Sequence, residues 1–268
     1  MRYVALGFLA LFLISATAQA DEWLEVSSDH FVVYSDQDEV GVLGFSTRLE
    51  RFHAAMAHLY NKQQTKPGLS NRVTVFVLSS TGKVRKVYGA KNRFMAGVYM
   101  PRAGSSVALI PRVRGPSRYE MSGETILYHE YAHHFMTGLN ARAYPRWFTE
   151  GFAEFFSGAK FREDGSVVLG APATHRNNEL VYAREVPIRT LLSYDGGAGT
   201  AKFTYDSFYG QSWVLFHYLQ MAPERKGQLS SYQRQLATGR STLEAAETAF
   251  GDLDQLNRAK PTLDRCGK

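Results

Sequence analysis

The chain has 268 residues, and its 31 Lys and Arg against 25 Asp and Glu give a net charge of +6. Its 44% apolar and 13% aromatic content is too high for a disordered chain. The single cysteine, Cys266, excludes an intrachain disulfide and any zinc site built on cysteines. The positive charge is spread along the chain without a basic helix or an aromatic RNA-binding motif, so we expect no nucleic-acid partner.

The first twenty residues have the pattern of a secretory signal peptide. Arg2 is followed by an apolar run from Val4 to Ile14, and a small-residue site, Ala-Gln-Ala, ends at Ala20. The run is shorter than the roughly 20 residues that a membrane-spanning helix needs. We therefore predict cleavage after Ala20 and an exported protein, periplasmic or secreted, with no stable membrane anchor.

Residues 21–115 are predicted to form a small mixed α/β lobe. His30–Tyr34 and Val73–Leu78 are rich in β-branched and aromatic residues, which predicts two strands. Val40–Tyr60 has its apolar residues at helical spacing, which predicts an amphipathic helix. Because His53 and His58 of this helix have no partners at ligand spacing, we expect them to be packing or surface residues.

A hairpin is predicted at the end of this lobe. Gly97–Met100 and Ser106–Ile110 flank a Pro-Arg-Ala-Gly turn. We expect the two strands to form one wall of a cleft, where an exposed edge would pair with the main chain of an extended peptide.

Residues 116–268 are predicted to form a mainly helical lobe, although 21–268 could count as one domain. Ser117 and Glu120 form a capping-box pattern, from which a helix should run from Arg118 to Thr137 and stop at Gly138. The chain up to about Gly199 is predicted to be mostly loop, with a hairpin around Asp164–Gly165. Further helices are predicted over Arg146–Ser157, Ser207–Met221, Pro223–Leu236 and Leu243–Phe250.

Three of the eight histidines lie together in the helix predicted from Arg118 to Thr137. They form the motif His129-Glu130-Tyr131-Ala132-His133, which is followed by His134. Residues four apart share one face of a helix, so His129 and His133 can both bind one Zn²⁺. Glu130 lies beside them and can deprotonate a metal-bound water. The motif therefore predicts one zinc ion per chain.

The third zinc ligand distinguishes the classes of zinc enzyme. A metzincin would need Gly and His where this chain has Met136 and Leu139, so that class is excluded. Two carboxylates on the next predicted helix, Glu150 and Glu154, are the remaining candidates.

The two motifs together resemble the gluzincin metallopeptidases. The segment Trp-Phe-Thr-Glu-Gly-Phe-Ala, residues 147–153, is most similar to the aminopeptidase-N-type branch. The resemblance implies a zincin-like helical lobe in an α+β protein, with Glu150 as the third zinc ligand. Glu154 resembles the thermolysin-like carboxylate that accepts the free N–H of a zinc-bound imidazole; as an alternative, Glu154 is itself the third ligand.

A tyrosine downstream extends the resemblance. The segment from Tyr209 to Leu215 looks like one in the same branch, whose tyrosine hydroxyl stabilises the tetrahedral oxyanion. Tyr205 is a nearby competitor for this role. His175 is either a mobile hydrogen-bond donor or, as we expect, a surface residue, and His134 and His217 are expected to be packing residues.

The resemblance implies an exported zinc metallopeptidase that hydrolyses peptide bonds in a peptide or protein substrate, with Glu130 as general base. The segment Met95–Tyr99 lacks the Glu and Asn that hold the substrate's amino terminus in the aminopeptidase branch. An endopeptidase is therefore favoured over an aminopeptidase. Two alternatives remain open: a catalytically silent peptide-binding or assembly protein on the same scaffold, and a pair of histidines that pack and bind nothing.

Overall fold

The computed structural model describes residues 23–62, 66–91, 95–102, 104–112, 121–139, 143–194 and 206–260. Four features of the sequence analysis lie outside these residues: the signal peptide, the capping-box pattern at 117–120, Tyr205 and Cys266.

A five-stranded mixed sheet forms the first half of the fold. Its strands are β1 (Leu24–Ser27), β2 (Phe31–Ser35), β3 (Val73–Leu78), β4 (Val98–Met100) and β5 (Val107–Pro111). Their order is β1-β2-β3-β5-β4, with β2, β3 and β5 parallel and the two edge strands antiparallel to their neighbours. The β4–β5 pairing confirms the predicted hairpin, and β4 is an edge of the sheet. β1 was not predicted.

A long amphipathic helix, α1 (Glu39–Leu59), covers one face of the sheet, as its apolar spacing predicted. The side chain of Asp38 caps its start by accepting a 2.8 Å hydrogen bond from the backbone N–H of Gly41. The short helix α2 (Thr81–Tyr88), which was not predicted, packs Val84 on the other face. On the side of α1, Val73, Val75 and Val77 of β3 are buried, whereas Thr74 and Phe76 on the other face are half-buried.

Helix α3 (Gly123–Leu139) carries the histidine motif and differs from its prediction at both ends. It begins five residues later than expected, where the hydroxyl of Ser122 accepts a 3.0 Å hydrogen bond from Thr125 N. A Cβ atom at Gly123 would lie only 2.3 Å from the carbonyl oxygen of Pro111. Glycine is therefore needed where the start of α3 passes close to the end of strand β5. Gly138 does not end the helix, which continues to Leu139.

Helix α4 (Arg146–Ser157) has the bounds that were predicted. It packs closely on α7 (Phe208–Met221), because a Cβ atom on Gly151 would lie 2.5 Å from the carbonyl oxygen of Ser212. The glycine brings the two backbones together and thereby sets the distance between the side chains that each helix carries.

The chain between α4 and α7 is more regular than predicted. The hairpin around Asp164–Gly165 is confirmed as β6 (Lys160–Phe161) and β7 (Val167–Val168). The expectation of mostly loop is wrong for two segments, where the short helices α5 (Asn177–Tyr182) and α6 (Ile188–Ser193) form; residues 195–199 lie outside the described residues. Both are shorter than two turns, too short for an apolar period to be read from the sequence.

Within the described residues up to 260, α7 is followed by α8 (Gln228–Ala237), α9 (Thr242–Phe250) and α10 (Leu253–Ala259). The single helix predicted over Pro223–Leu236 is wrong. It divides into a 3-10 turn and α8, because Gly227 takes a left-handed conformation with φ of 83° between them.

One apolar core connects the sheet to the helices. Phe52 of α1 lies 4.6 Å from Tyr128 of α3, and Phe31 of β2 lies 4.8 Å from Tyr131, measured between ring centroids. The same core continues to Trp213 and Leu256. The predicted α+β class, an α/β part followed by a mainly helical part, is confirmed. None of the helices in the described ranges is long and apolar enough to cross a membrane.

Candidate metal centre

Three side chains converge where α3 and α4 pack together. The Nε2 atoms of His129 and His133, one turn apart on α3, are 3.2 Å apart. The Oε2 atom of Glu150 on α4 lies 3.3 Å from the first and 3.4 Å from the second. The structure therefore brings together all three ligands that the sequence and the family resemblance suggested, and these atoms could hold a metal ion.

The spacing of these atoms suits zinc. In a tetrahedral site with bonds of about 2.0–2.1 Å, neighbouring ligand atoms are about 3.3 Å apart. Oε2 of Glu150 is buried and accepts no hydrogen bond in the described part of the chain. An unpartnered carboxylate oxygen beside two imidazole nitrogens is costly unless a cation lies among them. The donor set of two imidazoles and one carboxylate is that of catalytic zinc sites that keep one position open.

The imidazoles and carboxylates of the site stabilise each other's charged forms. Burial lowers the pKa of His129, but Glu150 and Glu154 outweigh burial and raise it to about 9. Burial likewise raises the pKa of Glu150, while the adjacent imidazoles of His129 and His133 lower it to about 2. Glu150 is thus a carboxylate at neutral pH, the form in which it can bind a metal ion.

Glu154 faces the other nitrogen of His129. Its Oε1 atom lies 3.1 Å from Nδ1, although the two atoms do not meet the geometry of a hydrogen bond. Glu154 is fully buried. When a metal displaces one proton from His129, a carboxylate at Nδ1 holds the remaining proton there and leaves Nε2 to bind the metal. Glu150 therefore lies beside the two Nε2 atoms, where a metal would bind. Glu154 lies beside Nδ1 of His129, where it can orient the ring.

Two residues that the sequence analysis did not assign to the site hold Glu154. Nε2 of His175 lies 2.8 Å from its Oε2, and Arg176 donates to its Oε1 through Nη2. The expectation that His175 is a surface residue is wrong, because only 7% of its side chain is exposed. Burial raises the pKa of Glu154, but the adjacent His129, His175 and Arg176 hold it well below its ordinary value.

The network continues from Arg176 towards helix α7. Nη1 of Arg176 lies 3.3 Å from Oε2 of Glu179, and Oε1 of Glu179 accepts a 2.7 Å hydrogen bond from the backbone N–H of Gly210. The only sequence signal for this network was the i, i+3 spacing of Arg176 and Glu179 in a predicted loop. It connects the carboxylate behind His129 to the first turn of α7.

Tyr209 lies in that first turn, half-buried. Its hydroxyl accepts a 2.9 Å hydrogen bond from Nη2 of Arg146, whose Nε lies 3.7 Å from Oε1 of Glu150. Burial and the negative charge of Glu150 raise the pKa of Tyr209, so it stays a protonated phenol at neutral pH. The tyrosine that the family resemblance singled out is therefore one side chain away from the third candidate ligand.

Glu130, the candidate base, follows His129 on α3 and is half-buried. No donor to its carboxylate is found among the described residues. Burial raises the pKa of Tyr99 on β4 to about 12, and the charge of Glu130 contributes to this rise. Glu130 is therefore near the edge strand.

His134 and His217 pack as predicted. His134 stacks on Tyr131 with ring centroids 5.6 Å apart, and His217 donates a 3.1 Å hydrogen bond from Nε2 to the carbonyl oxygen of Gly170. Neither joins the three-atom cluster.

The fold and the site define an α+β protein with a His-Glu-x-x-His helix and a two-histidine, one-glutamate cluster. Residues 124–242, just under half of the chain, match the model of a family described as a protein of unknown function, DUF1570. No curated protein matches the chain. The matched segment contains the three candidate ligands together with Glu130, Glu154, His175, Arg176 and Tyr209.

Proposed function

We propose that the protein is an exported zinc-dependent metallopeptidase. The observation that carries this proposal is the triangle of His129 Nε2, His133 Nε2 and Glu150 Oε2, with sides of 3.2, 3.3 and 3.4 Å. These three side chains would hold one zinc ion, which when bound activates a water molecule and polarises a carbonyl group.

Glu130 is the general base. Its carboxylate has no competing donor among the described residues, so it is free to accept a proton from the attacking water. It then returns this proton to the amine that leaves when the peptide bond breaks. Its place beside His129 on α3 keeps it next to the zinc ligands without making it one.

Tyr209 donates a hydrogen bond to the oxyanion that forms on the substrate carbonyl. A neutral phenol is a suitable donor because the negative charge develops only as the carbonyl is attacked. Glu154 keeps His129 in the tautomer that presents Nε2 to the metal.

The substrate lies in extended form along strand β4. Within the described residues, β4 pairs with β5 on one side only, so its other side has main-chain groups free for a peptide strand. Because residues 95–99 lack the amino-terminus clamp of the aminopeptidase branch, the enzyme cleaves within chains rather than at the amino terminus.

The test uses the full chain after signal removal, with zinc per chain measured by mass spectrometry and cleavage measured on a peptide library. The parent should bind one zinc ion and cleave internal peptide bonds. Glu130→Gln should keep the zinc and lose at least about a hundredfold in kcat. A Glu130→Gln variant that cleaves as fast as the parent would refute the role of Glu130.

The same measurements separate the alternatives. Full zinc occupancy without any turnover would favour a silent peptide-binding or assembly protein, and absence of zinc would favour packing histidines. Export is tested independently by amino-terminal sequencing of the mature protein, which should begin at Asp21.

A further inference from the structure

Arg146 connects the two halves of the candidate site. It is the first residue of α4, one turn before Glu150, and its Nη2 donates to the hydroxyl oxygen of Tyr209 at 2.9 Å. Its Nε lies 3.7 Å from Oε1 of Glu150. One guanidinium therefore contacts both the third candidate ligand and the candidate oxyanion donor, which are on different helices.

The guanidinium of Arg146 is held in one place by aromatic rings. Its central carbon lies 5.3 Å from the ring centroid of Tyr194, 5.2 Å from that of Phe208 and 5.6 Å from that of Tyr209. Each ring face attracts the cation, and together they restrict its rotation. A guanidinium fixed in this way can hold the hydroxyl that it contacts.

The hydrogen bond from Arg146 determines which further hydrogen bond the hydroxyl of Tyr209 can make. The phenol hydroxyl has one hydrogen. Because its oxygen accepts a hydrogen bond from Arg146, that hydrogen is left to donate to another group. In the part of the chain that the structure describes, no acceptor takes it. The neighbouring positive charge also polarises the O–H bond, which makes the phenol a stronger donor to an anion.

The ring of Tyr209 is supported by a second arginine. The guanidinium carbon of Arg176 lies 4.7 Å from the ring centroid. Arg176 is itself held by Glu154 and Glu179, and Glu179 accepts from the N–H of Gly210, next to the tyrosine. Both the hydroxyl and the ring of Tyr209 are therefore tied to residues around the zinc ligands.

We propose that Arg146 is a positioning residue that holds the Tyr209 hydroxyl so that its hydrogen points to the substrate oxyanion. This inference rests on the proposed function, in which Tyr209 is the oxyanion donor. In catalysis Arg146 acts through Tyr209, so the loss of kcat that its replacement causes should depend on the tyrosine hydroxyl.

The contact is tested without any catalytic measurement. The full mature chain is labelled with 3-fluorotyrosine, and the resonance of residue 209 is assigned in the fluorine NMR spectrum by its loss in Tyr209→Phe. Arg146→Gln should shift this resonance, and Arg146→Lys, which keeps the charge, should shift it less. Arg189→Gln is the matched control, because Arg189 pairs with Glu247 at the surface. An unchanged resonance in Arg146→Gln would overturn the proposal.

Kinetics then test the coupling. Arg146→Gln should keep the zinc and lose about 10- to 100-fold in kcat with little change in KM. In a Tyr209→Phe background it should cause no further loss, whereas losses that multiply would overturn the proposal. If the zinc-loaded parent cleaves no peptide, the proposed function fails, and the fluorine resonance still decides whether Arg146 holds Tyr209.

Discussion

The fully buried carboxylate of Glu154 lies 3.1 Å from Nδ1 of His129, while Nε2 of the same ring faces Glu150. His129 is thus held between two carboxylates of one helix, each at a different nitrogen. One carboxylate is placed to share a metal with the imidazole and the other to orient it.

Glu154→Gln should weaken zinc binding by about 10- to 100-fold without abolishing it, because the amide is a poorer acceptor for the Nδ1 proton. The variant also leaves the charge of Arg176 buried without its main partner, so the melting temperature should fall. Zinc affinity is measured by chelator competition. Glu247→Gln, which breaks an exposed ion pair with Arg189, is the control and should change neither quantity. Unaltered zinc affinity in Glu154→Gln would contradict the orienting role.

Zinc should raise the melting temperature of the parent, because a ligand that binds only the folded state stabilises it. At a free concentration a thousand times the dissociation constant, the gain is about 4 kcal/mol. For a chain of this size, this corresponds to roughly 10 °C. Addition of a chelator should reverse the shift in differential scanning calorimetry.

His133→Ala should abolish most of the zinc-induced rise in melting temperature, since it removes a ligand atom of the cluster. His134→Ala is the matched control, as its ring stacks on Tyr131 and lies outside the cluster. It should lower the melting temperature of the zinc-free protein while the zinc-induced rise stays the same. Equal zinc responses in the two variants would show that the histidines do not act as a metal site.

A half-buried pair outside this site, His30 and Glu50, predicts a loss of stability in acid. Burial raises the pKa of Glu50, but hydrogen bonds from the His30 ring, the Ser28 hydroxyl and the His30 backbone N–H lower it to about 2. Because the folded-state pKa is below the ordinary value of 4.5, the carboxylate stabilises the fold above pH 4.5. This contribution, about 2 kcal/mol after allowance for partial exposure, is lost as the pH falls towards 2.

Urea unfolding between pH 5 and 2 measures this effect. The free energy of unfolding of the parent should fall over this window, and that of Glu50→Gln should start lower and fall less. Glu39→Gln, at the exposed start of the same helix, is the control. A parallel fall in the parent and Glu50→Gln would exclude the proposed linkage.

Gly151→Ala should destabilise the protein by about 2–3 kcal/mol, because its Cβ atom would lie 2.5 Å from the carbonyl oxygen of Ser212. The helices must move apart, which also separates Arg146 from Tyr209, so peptidase activity should fall further than stability alone explains. Gly138→Ala is the control, since its Cβ would meet only the flexible end of Lys62 and the residue is exposed. That variant should be neutral or stabilised by about 0.5–1 kcal/mol. Chemical denaturation of both variants measures the difference.

The sequence determined those features that are encoded over a few neighbouring residues. The apolar spacing predicted α1, α4 and α7 closely, and the β-branched runs predicted β2 and β3. The spacing of His129 and His133 already implied one helix face, because the α-helix repeats every 3.6 residues. The same local patterns failed for α5, α6 and α10, whose six or seven residues are too few to show a period.

Only the tertiary structure decided how distant residues meet. Glu150 and Glu154 are one turn apart, so the sequence left open which one joins the histidines, and the packing of α4 on α3 put Glu150 at Nε2 and Glu154 at Nδ1. His175 is 21 residues and Arg146 is 63 residues from the side chain that each one holds. Such contacts depend on burial and helix packing rather than on local periodicity, because a buried charge is stable only where the fold supplies its partner.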